Sequence, residues 1–261
     1  MTIYWIIGAC FFGGLISLFF ATMIFKNASN TLITNMVSLA VGTLLTTAFL
    51  ELIPHAMELS DDFHETSFFV LIGILILFIL EKLLIWRHCH IPGCDKHTEV
   101  QSHLIKDGID KNKRGSVIVV GDLFHNFVDG VLIASAFLVN INLGLVTAFS
   151  IIAHCLPQEM SNFSVLLDAG FTKFKAYIFN IAASFAMLIG AILSFYILSI
   201  MQNDNLLANI LALAAASMIY VSVSDLIPDL HKKTDTKESI RQIIMVAVGV
   251  VIIYIIHSHL H

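Results

Sequence analysis

Charge is scarce in this chain. Asp, Glu, Lys and Arg together make up 13% of its 261 residues, against 57% hydrophobic ones. With a mean hydropathy of +0.87, that leaves more apolar surface than a soluble core can hide, and places the chain in a bilayer. A basic patch is also lacking: the formal net charge is -5 and the charges fall in short clusters between long apolar runs, so nucleic acid is not an expected partner. Cysteine is sparse. Cys10, Cys89, Cys94 and Cys155 are split between membrane segments and one loop, which excludes a disulfide framework and predicts reduced thiols. The stretch from Ile3 to Phe25 lacks the basic start and small-residue cleavage site of a signal sequence and reads as a retained helix. No HExxH motif is present, so the commonest signature of a zinc hydrolase is missing.

What is abundant is apolar sequence in runs long enough to cross about 30 Å of hydrocarbon as helices. They lie near residues 3–25, 32–54, 67–86, 116–139, 142–167, 174–200, 206–230 and 240–258. The expected fold is all-α, a polytopic membrane protein of eight transmembrane helices forming one domain over residues 1–261. Its one long polar stretch, about 87–115, reads as a loop between helices 3 and 4. With alternating helix directions, all 14 Lys and Arg fall on one side: Lys26, Lys82, Arg87, Lys96, Lys106, Lys111, Lys113, Arg114, Lys173, Lys175, Lys232, Lys233, Lys237 and Arg241. The positive-inside rule makes that side cytoplasmic and puts both termini on the other.

Ionisable groups at mid-bilayer are costly and need a partner or a purpose. Helix 4 carries Asp122, His125, Asn126 and Asp129 in the run GDLFHNFVDG, with His125 and Asp129 one turn apart. Helix 5 carries His154, Cys155, Gln158 and Glu159 in the run HCLPQE; His154 and Gln158 are one turn apart, as are Cys155 and Glu159. Pro157 removes a backbone donor beside this cluster and frees a carbonyl. Imidazole, carboxylate, amide and thiol together suit a borderline divalent ion such as Zn²⁺, with Fe²⁺, Mn²⁺ and Cd²⁺ as competitors. Mixed, fairly weak ligands fit an ion that must leave again better than a permanent structural site. The bland reading is that these side chains only hydrogen-bond neighbouring helices. Two adjacent helices that each carry a His and an acid at helical spacing favour transport.

The run HNFVDG from His125 to Gly130, followed by HCLPQE from His154 to Glu159, resembles the paired signatures of the ZIP metal transporters, nearest the LIV-1 type, whose fourth and fifth helices read HNFxDG and HEIPHE. The likeness extends to helix 2, from Gly42 to His55. It implies a three-two-three helix bundle with an inverted repeat, assembly as a homodimer, and an elevator-like movement of metal toward the cytoplasm. It also implies that His125, Asn126, Asp129, His154, Gln158 and Glu159 are metal ligands. Two positions depart from the pattern: Cys155 replaces a Glu and Gln158 replaces a His, which lowers the charge and basicity of the site. Cys155 has two readings, a soft ligand favouring Zn²⁺ over Mn²⁺ or a small buried apolar residue.

The leading expectation is therefore a carrier of divalent transition metal, zinc first, with no resident cofactor and no enzymatic activity. The alternatives are an intramembrane zinc hydrolase and a metal-sensing receptor without flux. Several features lie outside the paired motifs. Glu51 and His55 flank Pro54 on helix 2, and Asp225 and Asp229 flank Pro228 on helix 7; they line an entrance or exit, or are merely hydrated. Asp122 reads as a partner that orients the ligands beside it. His88, Cys89, His90, Cys94, His97 and His103 make the long loop a weak metal trap or an inert linker. The tail residues His257, His259 and His261 gather ions on the outer side or are incidental.

Overall fold

A computed structural model describes residues 1–25, 30–60, 62–88, 111–231 and 235–260. Among them there is no strand. Eight long helices follow one another: α1 (Thr2–Phe25), α2 (Asn30–Thr47, continued through a wide turn at Ala48–Leu52 to Ile53–Leu59), α3 (Phe63–His88), α4 (Lys111–Val139), α5 (Ile141–Asp168), α6 (Lys173–Met201), α7 (Asp204–Tyr220, continued through Val221–Leu226 to Ile227–His231) and α8 (Thr236–Leu260). Helices α2 to α8 are long and apolar enough to cross a membrane. The α1 sequence is 24 residues without a charged side chain. Cys89, His90, Cys94, His97 and His103 lie outside the described residues. The helices flanking that loop run further than apolarity alone suggested, to His88 and from Lys111, because Lys and Arg are good helix formers and need no apolar surroundings to continue a turn.

The bundle reverses the usual layering of a soluble protein. Thr43, Thr47, Glu51, Asn126, Asp129, Ser150, His154 and Asn180 are buried, whereas Phe68, Leu75, Phe78, Ile79, Ile243 and Ile244 face outward. Lipid favours an apolar exterior, and polar groups survive only where other helices meet them. Helices α3 and α8 are accordingly the least buried, and α2, α4 and α5 lie deep.

The packing repeats itself. Helix α4 lies along α6 as α5 lies along α1; α2 lies along α8 as α7 lies along α3; α2 meets α5 as α7 meets α4. Each helix of the first three thus corresponds to the one five places later. In an up-and-down bundle with short connections such helices run in opposite directions, which is an inverted repeat. The chain marks it locally. The runs ELIP at Glu51–Pro54 and DLIP at Asp225–Pro228 both sit at π-helical turns. Each proline lacks an N–H and crowds the carbonyl four residues earlier, Leu50 or Ser224, and a wider turn relieves both problems.

Two of these helix pairs close on glycine. A Cβ added at Gly130 of α4 would stand 1.9 Å from the Met187 carbonyl oxygen of α6, and one at Gly190 of α6 would stand 2.1 Å from the Phe127 oxygen. At Gly42 of α2 it would stand 2.2 Å from the Val246 oxygen of α8. Along α2 and α8, Asn35 accepts from Arg241 Nε at 2.8 Å, Gly42 abuts Gly249, and Glu51 meets His257, so the two helices run parallel. Such backbone-to-backbone contact is the membrane solution to tight packing, where dispersion must replace the hydrophobic effect.

Candidate metal centre

Helices α4 and α5 form a hairpin turned by one residue, Asn140, whose Oδ1 accepts from Leu143 N at 2.7 Å and caps α5. The hairpin puts the two polar motifs face to face. His125 Nε2 lies 3.3 Å from Asp129 Oδ2, His154 Nε2 lies 3.6 Å from the same oxygen, and the two imidazole nitrogens are 3.2 Å apart. Among the described residues these are the three whose ligand atoms all fall within 4.8 Å of one another. Ligands bound to one tetrahedral Zn²⁺ at about 2.0–2.1 Å stand about 3.3 Å apart. The triad is therefore already spaced for a single ion.

Its orientation is held from behind. His154 Nδ1 lies 3.4 Å from the Ser150 carbonyl one turn earlier, and a proton donated there leaves the Nε2 lone pair facing the triad. Asp129 and His154 keep only 3% and 4% of their side-chain surface exposed, while His125 keeps 22% and forms the accessible side of the cluster. Cys155 is buried, and its Sγ donates to Asp129 Oδ2 at 3.6 Å and stands 3.9 Å from His154 Nε2. The thiol thus borders the triad rather than packing against lipid.

The remaining sequence candidates sit around the triad and outside its 4.8 Å core. Asn126 donates its amide to Asp122 Oδ1 at 3.2 Å, and Asn162 of α5 donates to the same oxygen at 2.8 Å. The Asn126 carbonyl oxygen is buried without a hydrogen-bond partner. A buried acceptor without a partner calls for an explanation, and this one sits beside the triad. Gln158 is half-buried and interacts with both Asp122 and His125, and Glu159 is buried in the next position. Asp122 thus accepts from one amide on each helix of the hairpin.

Two features were not foreseen. Asn162 carries no motif, and isolated Asn in a helix is too common to single out. Thr47 of α2 and Ser150 of α5 share a 2.6 Å hydrogen bond in a fully buried setting, one turn from His154. Hydroxyl residues read as ordinary helix residues until the partner helix is known. His55 and Glu51, for which simple hydration was one reading, are both buried, and the α4–α5 tip lies against His55, whose Nε2 is 3.4 Å from Asn140 Nδ2.

The sequence profile of the family described as "ZIP Zinc transporter" matches residues 2–114 and 87–257, which together span nearly the whole chain. A protein of Pongo abelii named "Zinc transporter ZIP13" is 25% identical, over 88% of this chain and 69% of its own length. The "Zinc transporter ZIP13 homolog" of Drosophila melanogaster is 26% identical, over 85% of this chain and 77% of its own. The Homo sapiens protein named "Zinc transporter ZIP10" is 30% identical, over 59% of this chain and 18% of its own.

Proposed function

Because the chain belongs to the ZIP zinc transporter family, we propose that it carries a divalent transition metal ion, zinc foremost, across the bilayer through the site between α4 and α5. The observation that carries this reading is the His125, Asp129 and His154 triad, spaced for one ion on two membrane helices. Asn126, Cys155, Gln158 and Glu159 complete or tune it. A site of two imidazoles, one carboxylate and adjacent amide and thiol groups binds Zn²⁺ without enclosing it, which suits an ion that must be released.

The basic residues supply the direction. Lys82, Lys111, Lys113, Arg114, Lys173, Lys175, Lys237 and Arg241 lie at the helix ends opposite the two termini. We assign that end to the cytoplasm and transport to the inward direction. The packing supports a moving unit: α1, α4, α5 and α6 contact one another, while α2 lies along α8 and α7 along α3. All ligands belong to the first group. The Thr47–Ser150 hydrogen bond is one of the few polar ties to the second, and sliding of one group past the other would carry the ion with α4 and α5.

Proteoliposomes containing the purified protein test the assignment. Saturable uptake of Zn²⁺, lost in His125→Ala and His154→Ala with the protein still inserted, is the expected result. Metal that binds without crossing would overturn the carrier reading and move a receptor or hydrolase ahead. Cys155→Ser should change selectivity more than rate: the hydroxyl still donates to Asp129, but the soft sulfur is gone. Cd²⁺ uptake should fall several-fold relative to Zn²⁺ in competition assays, and an unchanged ratio would leave the thiol as a packing residue.

A further inference from the structure

Among the histidine and acid groups that the triad does not use are Glu51 and His257, and the fold brings them together. Glu51 sits in the π-helical turn of α2 with 2% of its side chain exposed, and His257 lies near the end of α8 with 32% exposed. They are 206 positions apart in the chain, yet His257 Nδ1 lies 2.9 Å from Glu51 Oε1. His55 stands beside them, its Nδ1 2.8 Å from the Glu51 carbonyl oxygen and 4.0 Å from the carboxylate. That contact commits the His55 Nδ1 proton to the backbone and turns Nε2 toward Asn140.

We infer that Glu51 and His257 form a second divalent-metal site, at the terminal end of the bundle, where an ion displaces the proton shared between the imidazole and the carboxylate. The inference rests on the transport reading for its role in uptake, and on geometry alone for its binding. A carboxylate oxygen and an imidazole nitrogen on one tetrahedral Zn²⁺ stand about 3.3 Å apart, so the 2.9 Å pair needs to open by only a few tenths of an ångström. Two protein ligands with water in the remaining positions make a site that exchanges readily, as capture requires. A buried carboxylate in an apolar helix needs a cationic partner, which either His257 or a metal ion provides.

Its position connects it to the triad. On α2, Glu51 lies one turn beyond Thr47 toward the terminal end; on α5, His154 lies one turn beyond Ser150 in the opposite direction. The Thr47–Ser150 hydrogen bond separates the two levels, which at 1.5 Å per residue are about 12 Å apart. Both hydroxyls are fully buried. An ion held at Glu51 is therefore separated from His154 by this buried hydroxyl pair. Asn140, at the tip of the hairpin that carries the triad, reaches His55 beside the same acid.

Equilibrium dialysis of the full-length purified protein against Zn²⁺ tests the site without requiring flux. Glu51→Gln and His257→Ala should each lose one equivalent relative to the wild type, and the double variant should lose no more than either. His257→Cys should keep that equivalent and, with Cd²⁺ as probe, add a thiolate-to-metal ultraviolet band that disappears when Glu51→Gln is combined with it. Unchanged stoichiometry in both single variants, or no added band from His257→Cys, would overturn the site and leave a helix-to-helix latch. In proteoliposomes, Glu51→Gln should raise the half-saturating Zn²⁺ concentration about 10-fold. Absence of wild-type flux would sink the carrier reading while dialysis still decides the site. Normal flux with unchanged stoichiometry would sink the site alone.

Discussion

Asp129→Asn is expected to reduce saturable Zn²⁺ uptake about 100-fold or more, a loss of about 2.8 kcal/mol of binding at the central site. The substitution keeps the shape of the side chain and removes its charge. Asp129 Oδ2 is the atom on which His125, His154 and Cys155 all converge, and it supplies the only negative charge within the triad. Without it, a dication would rest on two neutral imidazoles in a region of low dielectric, where compensating charge matters most. Initial rates over a Zn²⁺ series, normalised to inserted protein, give the number. Uptake within about threefold of the wild type would mean that the ion does not pass through this carboxylate.

Gly130→Val should be about as damaging by a different route. The added Cβ would meet the Met187 carbonyl oxygen at 1.9 Å, and backbone cannot move aside as a flexible side chain can. Helices α4 and α6 would have to separate, at a cost of about 3 kcal/mol or more. Because α4 also carries His125, Asn126 and Asp129, the displacement would spoil the triad as well as stability. Thermal unfolding in detergent should show a clear drop in the midpoint together with lost uptake. Gly121→Ala, on the same helix, is the matched control: nothing lies within 4 Å of its added Cβ, so it should melt like the wild type or slightly higher. Equal melting of the two variants would refute the close-approach account of the α4–α6 pair.

That same glycine shows how far a motif can be read. In the run HNFVDG, the chemistry of His125, Asn126 and Asp129 points to a metal from residue type and spacing alone. The reason for Gly130 does not, because it lies on α6, fifty-odd positions later in the chain. Cys155 is a similar case. The sequence leaves its two readings open, and the 3.6 Å contact with Asp129 Oδ2 places the thiol beside the triad. Asn126 stands out in the opposite way, through the absence of a hydrogen bond on its side-chain Oδ1. The internal repeat was legible only as an implication of family likeness. The ELIP and DLIP runs are four residues long and carry their meaning in the turns they widen and in the helix pairs they stand between.

The sequence by itself determined the solvent, the helices and the chemistry. Long uncharged runs can satisfy their backbone in lipid only as helices, one-sided Lys and Arg predict how those helices are oriented, and His with Asp at a spacing of four must share a helix face. The tertiary structure decided which distant faces meet. It brought His154 to Asp129, Ser150 to Thr47 and His257 to Glu51. These pairings depend on the register between helices, which is set by where small residues let backbones touch, and the side chains being paired carry no information about it.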